Sequence, residues 1–328
     1  MTALGTSSSA STPRTVGAAA RPSHRRGTPG SRGREALTGY LFIAPAVVLF
    51  AVMGLYIVGY GFLLGFARWN GFAPHWDWVG LDNYADLLWR DPVYAPRVHE
   101  AARHTLYVMI AVPVLTVAVS FPLAVALARV KRAQAVLRSV YFLPYVTSGI
   151  AVFYAWQYIL QPDGAVNYLL GLLGLGSLQE PQGFLGNPAT ALPTMIVVTV
   201  WTEVPVAMLM YLTGLQTIDR GLIEAAELDG AGWWRTQVSV VWPLLRPITA
   251  IVVLLTLRSA LHGFQTFLIM TNGGPGTHTD VLGLEAYRLA FLSKFAPTLG
   301  LAGALGWMLF AVAIVLALIN LRALRSRV

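Results

Sequence analysis

The sequence predicts an all-α, polytopic membrane protein with six transmembrane helices and both termini in the cytoplasm. Three observations carry this. The 328 residues are 56% hydrophobic and only 12% charged, with a mean hydropathy of +0.61, whereas soluble domains are nearer a quarter charged. The apolar residues gather in runs of roughly twenty, the length that spans about 30 Å of hydrocarbon. The 23 basic residues are distributed unevenly: Arg68, Arg90, Arg97, Arg103, Arg288 and Lys294 fall in segments assigned outside, Arg258 falls inside a span, and all the others fall in segments assigned to the cytoplasm. That bias sets the orientation of a multi-pass chain.

The same observations exclude several functions. The net charge of +8 is accounted for by topology and gives no reason to expect nucleic-acid binding. With no cysteine in the chain, disulfides, thiolate metal sites and cysteine nucleophiles are ruled out. The histidines show no metal-ligand spacing, and no GxSxG or Ser-His-Asp arrangement can be built, so no catalytic residue and no metal site is assigned. The two lysines, Lys131 and Lys294, lie outside any GxxxxGK[ST] phosphate loop, so an ATPase site of that kind is not expected in this chain.

The elements follow in order. Residues 1–38 are rich in Ser, Ala, Gly, Pro and Arg without apolar periodicity, and they predict a disordered basic cytoplasmic tail. The membrane body runs over residues 39–321. Its first span covers residues 40–66, too long an apolar run for a signal peptide. The external segment 67–104 is polar and aromatic and predicts a short helix near residues 83–89, with Trp69, Trp76, Trp78 and Trp89 suited to an interfacial belt. Span two, residues 105–128, ends in the basic cluster Arg129, Lys131, Arg132 and Arg138, a strong inside marker. Span three covers 139–160. Residues 161–188 lack Lys and Arg and read as outside. Span four covers 189–215, span five 248–270 and span six 298–321. Between the last two, Gly273, Gly274, Pro275 and Gly276 enforce a turn, and residues 287–291 predict a short helix. Residues 322–328 form a basic cytoplasmic tail.

The loop between spans four and five, residues 219–247, cannot lie in a membrane. It holds Glu224, Glu227, Asp229, Arg235 and Arg246. Residues 224–228 are strong helix formers. Gly230 is a plausible stop, and a second helix follows from Trp233 until Pro243 and Pro247 limit it. Small residues on the first helix let another surface approach its backbone, and the acids beside them can pair with that surface's basic groups.

The spacing of EAA, then DGA, then a proline resembles the EAA loop of ABC importer permeases. Glu224, Ala225, Ala226, Asp229, Gly230, Ala231, Pro243, Leu244 and Pro247 stand at matching positions; Gln237, Val240 and Trp242 depart from the usual Phe, Ile and Leu. WVGLDNY at residues 78–84, Asp91–Pro92, Phe142–Leu143–Pro144, Trp156, Gly164, Asn167 and TNGGPG at residues 271–276 are similar to the carbohydrate-type members, and His104 stands where those often have Asn. The resemblance covers residues 39–321. It implies a permease subunit of a binding-protein-dependent carbohydrate importer, of the maltose or glycerol-phosphate permease kind. Its partners would be a second, different permease chain, an ATPase dimer and an extracytoplasmic solute-binding protein, all within membrane lipid. It implies no cofactor on this chain, with ATP and Mg on the ATPase subunits. It also implies that Glu224 docks into the ATPase, that Asp229 holds the turn, and that Ala225, Ala226, Gly230 and Ala231 allow close approach.

Two charges fall at mid-membrane, Glu203 in span four and Arg258 in span five. Such charges cost about 2.5–3.5 kcal/mol each on insertion scales and usually pair or line a wet cavity. The expectation is that they pair with each other and face the substrate pathway; a purely structural pair is the alternative. Arg258, His262 and Gln265 share a helical face, and with Phe264 they form the candidate pathway lining, interhelical hydrogen bonding being the alternative. Tyr154, Trp156, Tyr158, Trp201 and Tyr211 could stack on sugar rings or simply pack. Two other functions remain open at this point, an ion-coupled secondary transporter of a small polar solute and a membrane scaffold without transport. The first needs a relay of intramembrane acids, and the sequence supplies only Glu203. The second gives no reason for a polar stripe in span five.

Overall fold

The computed structural model describes residues 29–130, 134–292 and 298–325. Most of the basic tail, Lys131 and Arg132 of the inside cluster, Lys294 and Arg327 therefore lie outside the described residues. The chain divides into two compact units, residues 1–57 and 58–328.

In the first unit, helix α1 (Pro29–Phe50) runs on through a π turn over Ala51–Tyr56. It begins inside the segment expected to be tail, and its apolar residues from Leu37 to Phe50 are exposed. Helix α2 (Ile57–Leu64) follows. The short strands β1 (Ala67–Arg68) and β2 (Asp77–Trp78) pair antiparallel, Ala67 opposite Trp78.

Helix α3 (Asp82–Ala85), extended by a π turn to Arg90, is the short external helix expected there. Asn83 of the WVGLDNY stretch is buried, and its Nδ2 donates to the carbonyls of Gly65 (3.0 Å) and Ala67 (2.9 Å). Gly300 completes this joint: a Cβ there would strike the Ala67 carbonyl oxygen.

Helix α4 (Tyr94–Arg129) starts well before residue 105, so the end of the external segment is helical too. Helices α5 (Gln134–Val146) and α6 (Gly149–Ile159) divide the third expected span. The break lies at Thr147–Ser148, where Thr147 Oγ1 donates back to the Leu143 carbonyl and Ser148 turns to ψ 121°. Helix α7 (Ala165–Leu172) belongs to the next loop. Asn167 ties that loop together, donating to Pro162 O and Glu180 O and accepting from Glu180 N.

Helix α8 (Pro188–Leu215) is capped by Asn187, whose side chain accepts from Ala189 N. Then come α9 (Arg220–Leu228), α10 (Trp233–Thr236), a π turn over Gln237–Val241, α11 (Trp242–Leu244), α12 (Arg246–His262) and α13 (Phe264–Met270). Gly263 breaks the fifth expected span. Its N–H donates to Ser259 O, and a Cβ would come within 2.5 Å of that oxygen. Helix α14 (Leu282–Tyr287) continues as a π turn to Leu292, close to the predicted short helix, and α15 (Leu299–Arg325) ends the described chain.

The protein is therefore all-α apart from one two-stranded ribbon. Among the described residues, four helical stretches are long and apolar enough to cross a membrane: Leu37–Leu64, Tyr94–Arg129, Pro188–Leu215 and Leu299–Asn320. Counting Trp233–Leu244 and Arg246–His262, bent by 72°, as one span makes five. The difference from six comes from the breaks at Ser148 and Gly263, which leave each half too short by itself.

In the second unit, α4 packs along α8 and α12. Its upper half joins a core of Val112, Met195, Leu261, Phe267 and Leu284. Its last turns join a second core with Met208, Tyr211, Leu245 and Val252. At the end of the unit that carries α3, Leu87, Val98, Leu301 and Leu305 form a third. Between membrane helices such contacts stabilise through close van der Waals packing, because lipid tails are as apolar as these side chains.

Candidate functional site: a helix-turn-helix loop and two polar clusters

The loop between α8 and α11 is the first site. Asp219 caps α9, its carboxylate accepting from Gly221 N at 2.9 Å. At the other end, Gly230 lies in the left-handed region with φ +79°. Its N–H donates to Glu227 O, and Ala231 N donates to Ala226 O, both at 3.0 Å. This paired arrangement satisfies the last carbonyls of α9 and reverses the chain. Gly230 was thus correctly expected to end the helix. Glu224, Ala225, Asp229 and Gly230 are exposed, and Ala226 and Ala231 half-buried. Leu228, Trp234 and Val238 are exposed beside them, at 89%, 71% and 61%. The helix thus presents exposed apolar and acidic side chains together on one short element.

The second site is the polar stripe. Glu203 and Arg258 are not the ion pair expected. Glu203 Oε1 accepts from Ser259 Oγ at 2.5 Å. Arg258, the preceding residue, acts on Glu203 only electrostatically, beyond ion-pair distance. Successive residues on a helix point about 100° apart, so Ser259 turns toward α8 while Arg258 turns away. Arg258, His262 and Gln265 are all exposed, Phe264 is half-buried, and Ser259 is partly covered. The expected face therefore exists and points out of the chain. Of the aromatics, Tyr211 is fully buried and donates to Thr249 Oγ1 at 3.0 Å, which makes it a packing residue. Trp156 and Trp201 meet edge to face at 5.3 Å, while Tyr154 and Tyr158 stay exposed.

The third cluster, at the opposite end from the α9 loop, was missed from sequence. The TNGGPG segment carries positive φ at Asn272 (47°), Gly273 (82°) and Gly276 (61°). Arg288 holds it: Nη2 donates to Asn272 O at 2.6 Å, and Nη1 contacts Asp280 Oδ1 at 2.7 Å and Glu285 Oε2 at 3.5 Å. His104 Nδ1 lies 3.0 Å from Asp280 O, Thr105 Oγ1 accepts from Leu282 N, and Thr277 Oγ1 donates to Glu100. Burial pushes the Asp280 carboxyl above its usual range, opposed by the hydrogen bond and charge of Arg288. Burial raises Glu285 as well; Arg288 again opposes it and Asp280 adds to it. The one available signal was two acids, Asp280 and Glu285, in an otherwise apolar segment after the glycine turn.

Residues 105–326 match the model of the binding-protein-dependent transport system inner membrane component. This chain belongs to that family. It is a multi-pass membrane protein and an ABC transporter permease. Similar proteins include the probable ABC transporter permease protein YurN of Bacillus subtilis, 30% identical over 88% of this chain and 96% of that protein. The lactose transport system permease protein LacF of Rhizobium radiobacter is 30% identical over 89% and 95%. The trehalose/maltose transport system permease protein MalF of Thermococcus litoralis is 27% identical over 90% and 96%. Among solved structures, a bacterial ABC transporter involved in the import of the acidic polysaccharide alginate matches with a TM-score of 0.72 at 24% identity, covering 90% of this chain and 98% of that one. A second structure of an alginate ABC transporter, in complex with an alginate pentasaccharide-bound periplasmic protein, matches equally well at 23% identity. Permease membership sets aside the secondary-transporter and scaffold readings.

Proposed function

We propose that this chain is one permease subunit of a carbohydrate importer, working beside a second permease, above two ATPase subunits, and receiving its solute from an extracytoplasmic binding protein. The observation that carries this is the exposed α9 helix closed by the Gly230 turn, in a chain of the binding-protein-dependent family. In this reading the chain crosses the membrane six times with both ends inside, α5–α6 and α12–α13 each making one broken crossing. Glu224 docks in a cleft of the ATPase, Asp229 and Gly230 hold the turn, and Ala225, Ala226 and Ala231 allow close approach. ATP with Mg binds on the ATPase subunits, and closure of their dimer moves α9 and, through it, the spans. Relatives named for lactose and for trehalose/maltose transport support a sugar as solute.

The exposed stripe of Arg258, His262 and Gln265 fits the same reading. A guanidinium turned toward lipid at this depth is costly, whereas one turned toward a wet pathway shared with a second permease is not. Glu203 and Phe264 border that stripe.

The test is affinity purification from detergent, followed by an ATPase assay of whatever accompanies the chain, for wild type beside Glu224→Lys. A second permease and an ATPase with the wild type, weakened or uncoupled in the variant, is the expected result. A chain that purifies alone and without ATPase activity in both samples overturns the proposal.

A further inference from the structure

Beneath α9 lies a crevice of about 500 Å³, enclosed by the ends of α4 and α8, the inner side of α9 and the start of the α10 segment. Its lining sorts by burial: the apolar Val125 and Val241 are buried and Leu215 and Ile223 half-buried, while Arg129, Arg220, Gln216 and the single acid Glu227 are exposed and Gln237 is half-buried. Arg129 stands over the Trp233 ring with its guanidinium carbon 4.3 Å from the centroid, which fixes its direction across the opening. Neither arginine forms an ion pair within 4 Å with Glu227 among the described residues, and both are exposed.

We propose that this crevice binds an anionic phospholipid, its phosphate between Arg129 and Arg220 and an acyl chain along the apolar wall. The inference rests on the topology proposed above, because that topology puts these helix ends at the inner membrane boundary. An apolar wall joined to a basic mouth matches a molecule with an apolar tail and an anionic head. Basic recesses between helices on the cytoplasmic side are the places where such headgroups collect. The net charge of the three ionised groups is positive, which selects against zwitterionic lipid less strongly than a purely basic site but retains preference for an anion. Arg220, Ile223 and Glu227 of α9 line the crevice, Ala225 and Leu228 lie on its other sides, and Glu224 stands one turn from Arg220 at the edge between them. The lipid and the ATPase therefore meet adjacent faces of one helix. A bound lipid supports α9 from below and sets how firmly it carries motion to α4 and α8.

The experiment uses the full-length chain with its co-purifying subunits in detergent, and reads the thermal unfolding midpoint during titration with phosphatidylglycerol, phosphatidylcholine or inorganic phosphate. Wild type responds to phosphatidylglycerol and far less to the other two. In Arg129→Gln/Arg220→Gln the half-effective phosphatidylglycerol concentration rises about 30-fold, from roughly fivefold per basic group near a membrane surface. Arg129→Lys/Arg220→Lys keeps the charge and stays near wild type. Equal responses of wild type to phosphatidylglycerol and phosphatidylcholine overturn the proposal, as does an unchanged response in the Gln variant. A response to inorganic phosphate matching that to phosphatidylglycerol also overturns it, and assigns a free-anion site instead. If the Gln variant fails to fold, the lipid comparison on wild type and the Lys variant decides. Loss of the ATPase partners refutes the importer reading but leaves this lipid readout intact, so the two failures are distinguishable.

Discussion

Replacing Gly230 tests the coupling loop most directly, because the structure isolates a single cause. Gly230 has φ +79° and nothing within 4 Å of where a Cβ would stand. A substitution there meets no steric neighbour, and its whole cost is the left-handed backbone. That cost is about 1–2 kcal/mol for an ordinary L-residue, lower for Asn, which tolerates this region, and higher for a β-branched residue. By the Boltzmann relation, about 1–2 kcal/mol lowers the population of the native turn by a factor of roughly 5–30. The loop is exposed, so little else holds the turn closed. The assay is ATP-driven uptake in proteoliposomes, with ATP hydrolysis measured in parallel. The expected order of uptake per ATP hydrolysed is Gly230, then Gly230→Asn, then Gly230→Ala, then Gly230→Val, with the Ala loss bounded by that factor. The overall unfolding midpoint stays nearly constant, since the strain is local. An Asn variant as poor as Ala, or a Val variant coupled like wild type, refutes the assignment of α9 and its turn to force transmission.

Asn83→Ala leaves the Gly65 and Ala67 carbonyls without their donors, a loss of about 2–3 kcal/mol at roughly 1–1.5 each, read as a lower unfolding midpoint. Asn83→Asp is nearly the same shape but sets an acceptor against two acceptors, so it should be worse than Ala; a milder effect refutes the hydrogen-bond account. For Asp280, burial raises the folded-state value above 3.8, so the folded form holds its proton more tightly than the unfolded one. Its stabilisation is complete below 3.8 and is lost as pH rises through the raised value. The midpoint of wild type minus that of Asp280→Asn should therefore increase as the pH is lowered toward 3.8 in thermal scans, and a decrease would contradict the burial of this acid. Ser259→Ala removes the one hydrogen-bond donor to the Glu203 side chain among the described residues and should lower stability by about 1–3 kcal/mol, whereas Arg258→Gln should leave the midpoint within error but reduce uptake. The reverse pattern would restore an Arg258–Glu203 pair.

The parts legible in the sequence were those set by local pattern. The α9 loop is specified by helix formers, then Asp229 and Gly230, then two limiting prolines, and every one of those signals acts within a few residues. The short external helix at α3 is legible for the same reason. The breaks in the third and fifth spans were not. An apolar run reads the same in sequence whether the helix is straight or broken, because neighbouring groups can satisfy the freed backbone, and what breaks it here is Ser148 at ψ 121° and Gly263 at ψ 29°. The Arg288 cluster joins residues 100, 104, 272, 280, 285 and 288, and no short-range signal links groups so far apart. Glu203 was correctly singled out as needing a partner, but charge alone pointed to Arg258. Helical phase decides between adjacent residues, and the hydroxyl of Ser259 has the right one.

Helix α4 makes these separate sites into one device. At 1.5 Å per residue, its span from Tyr94 to Arg129 extends roughly 54 Å. Near its start, Glu100, His104 and Thr105 hold the external loop and the beginning of α14. Its last residue, Arg129, stands over Trp233 of the α9–α10 segment. Pro113 and Pro122 lie inside it, and each removes a backbone hydrogen bond and favours a bend. Were α9 displaced as proposed, the Arg129–Trp233 contact would pass that displacement to α4, whose prolines are its natural bending points on the way to the glycine-rich loop. The polar stripe on α12 lies alongside, since α12 packs on α4, so the bend that would open or close a pathway lies next to the residues facing it.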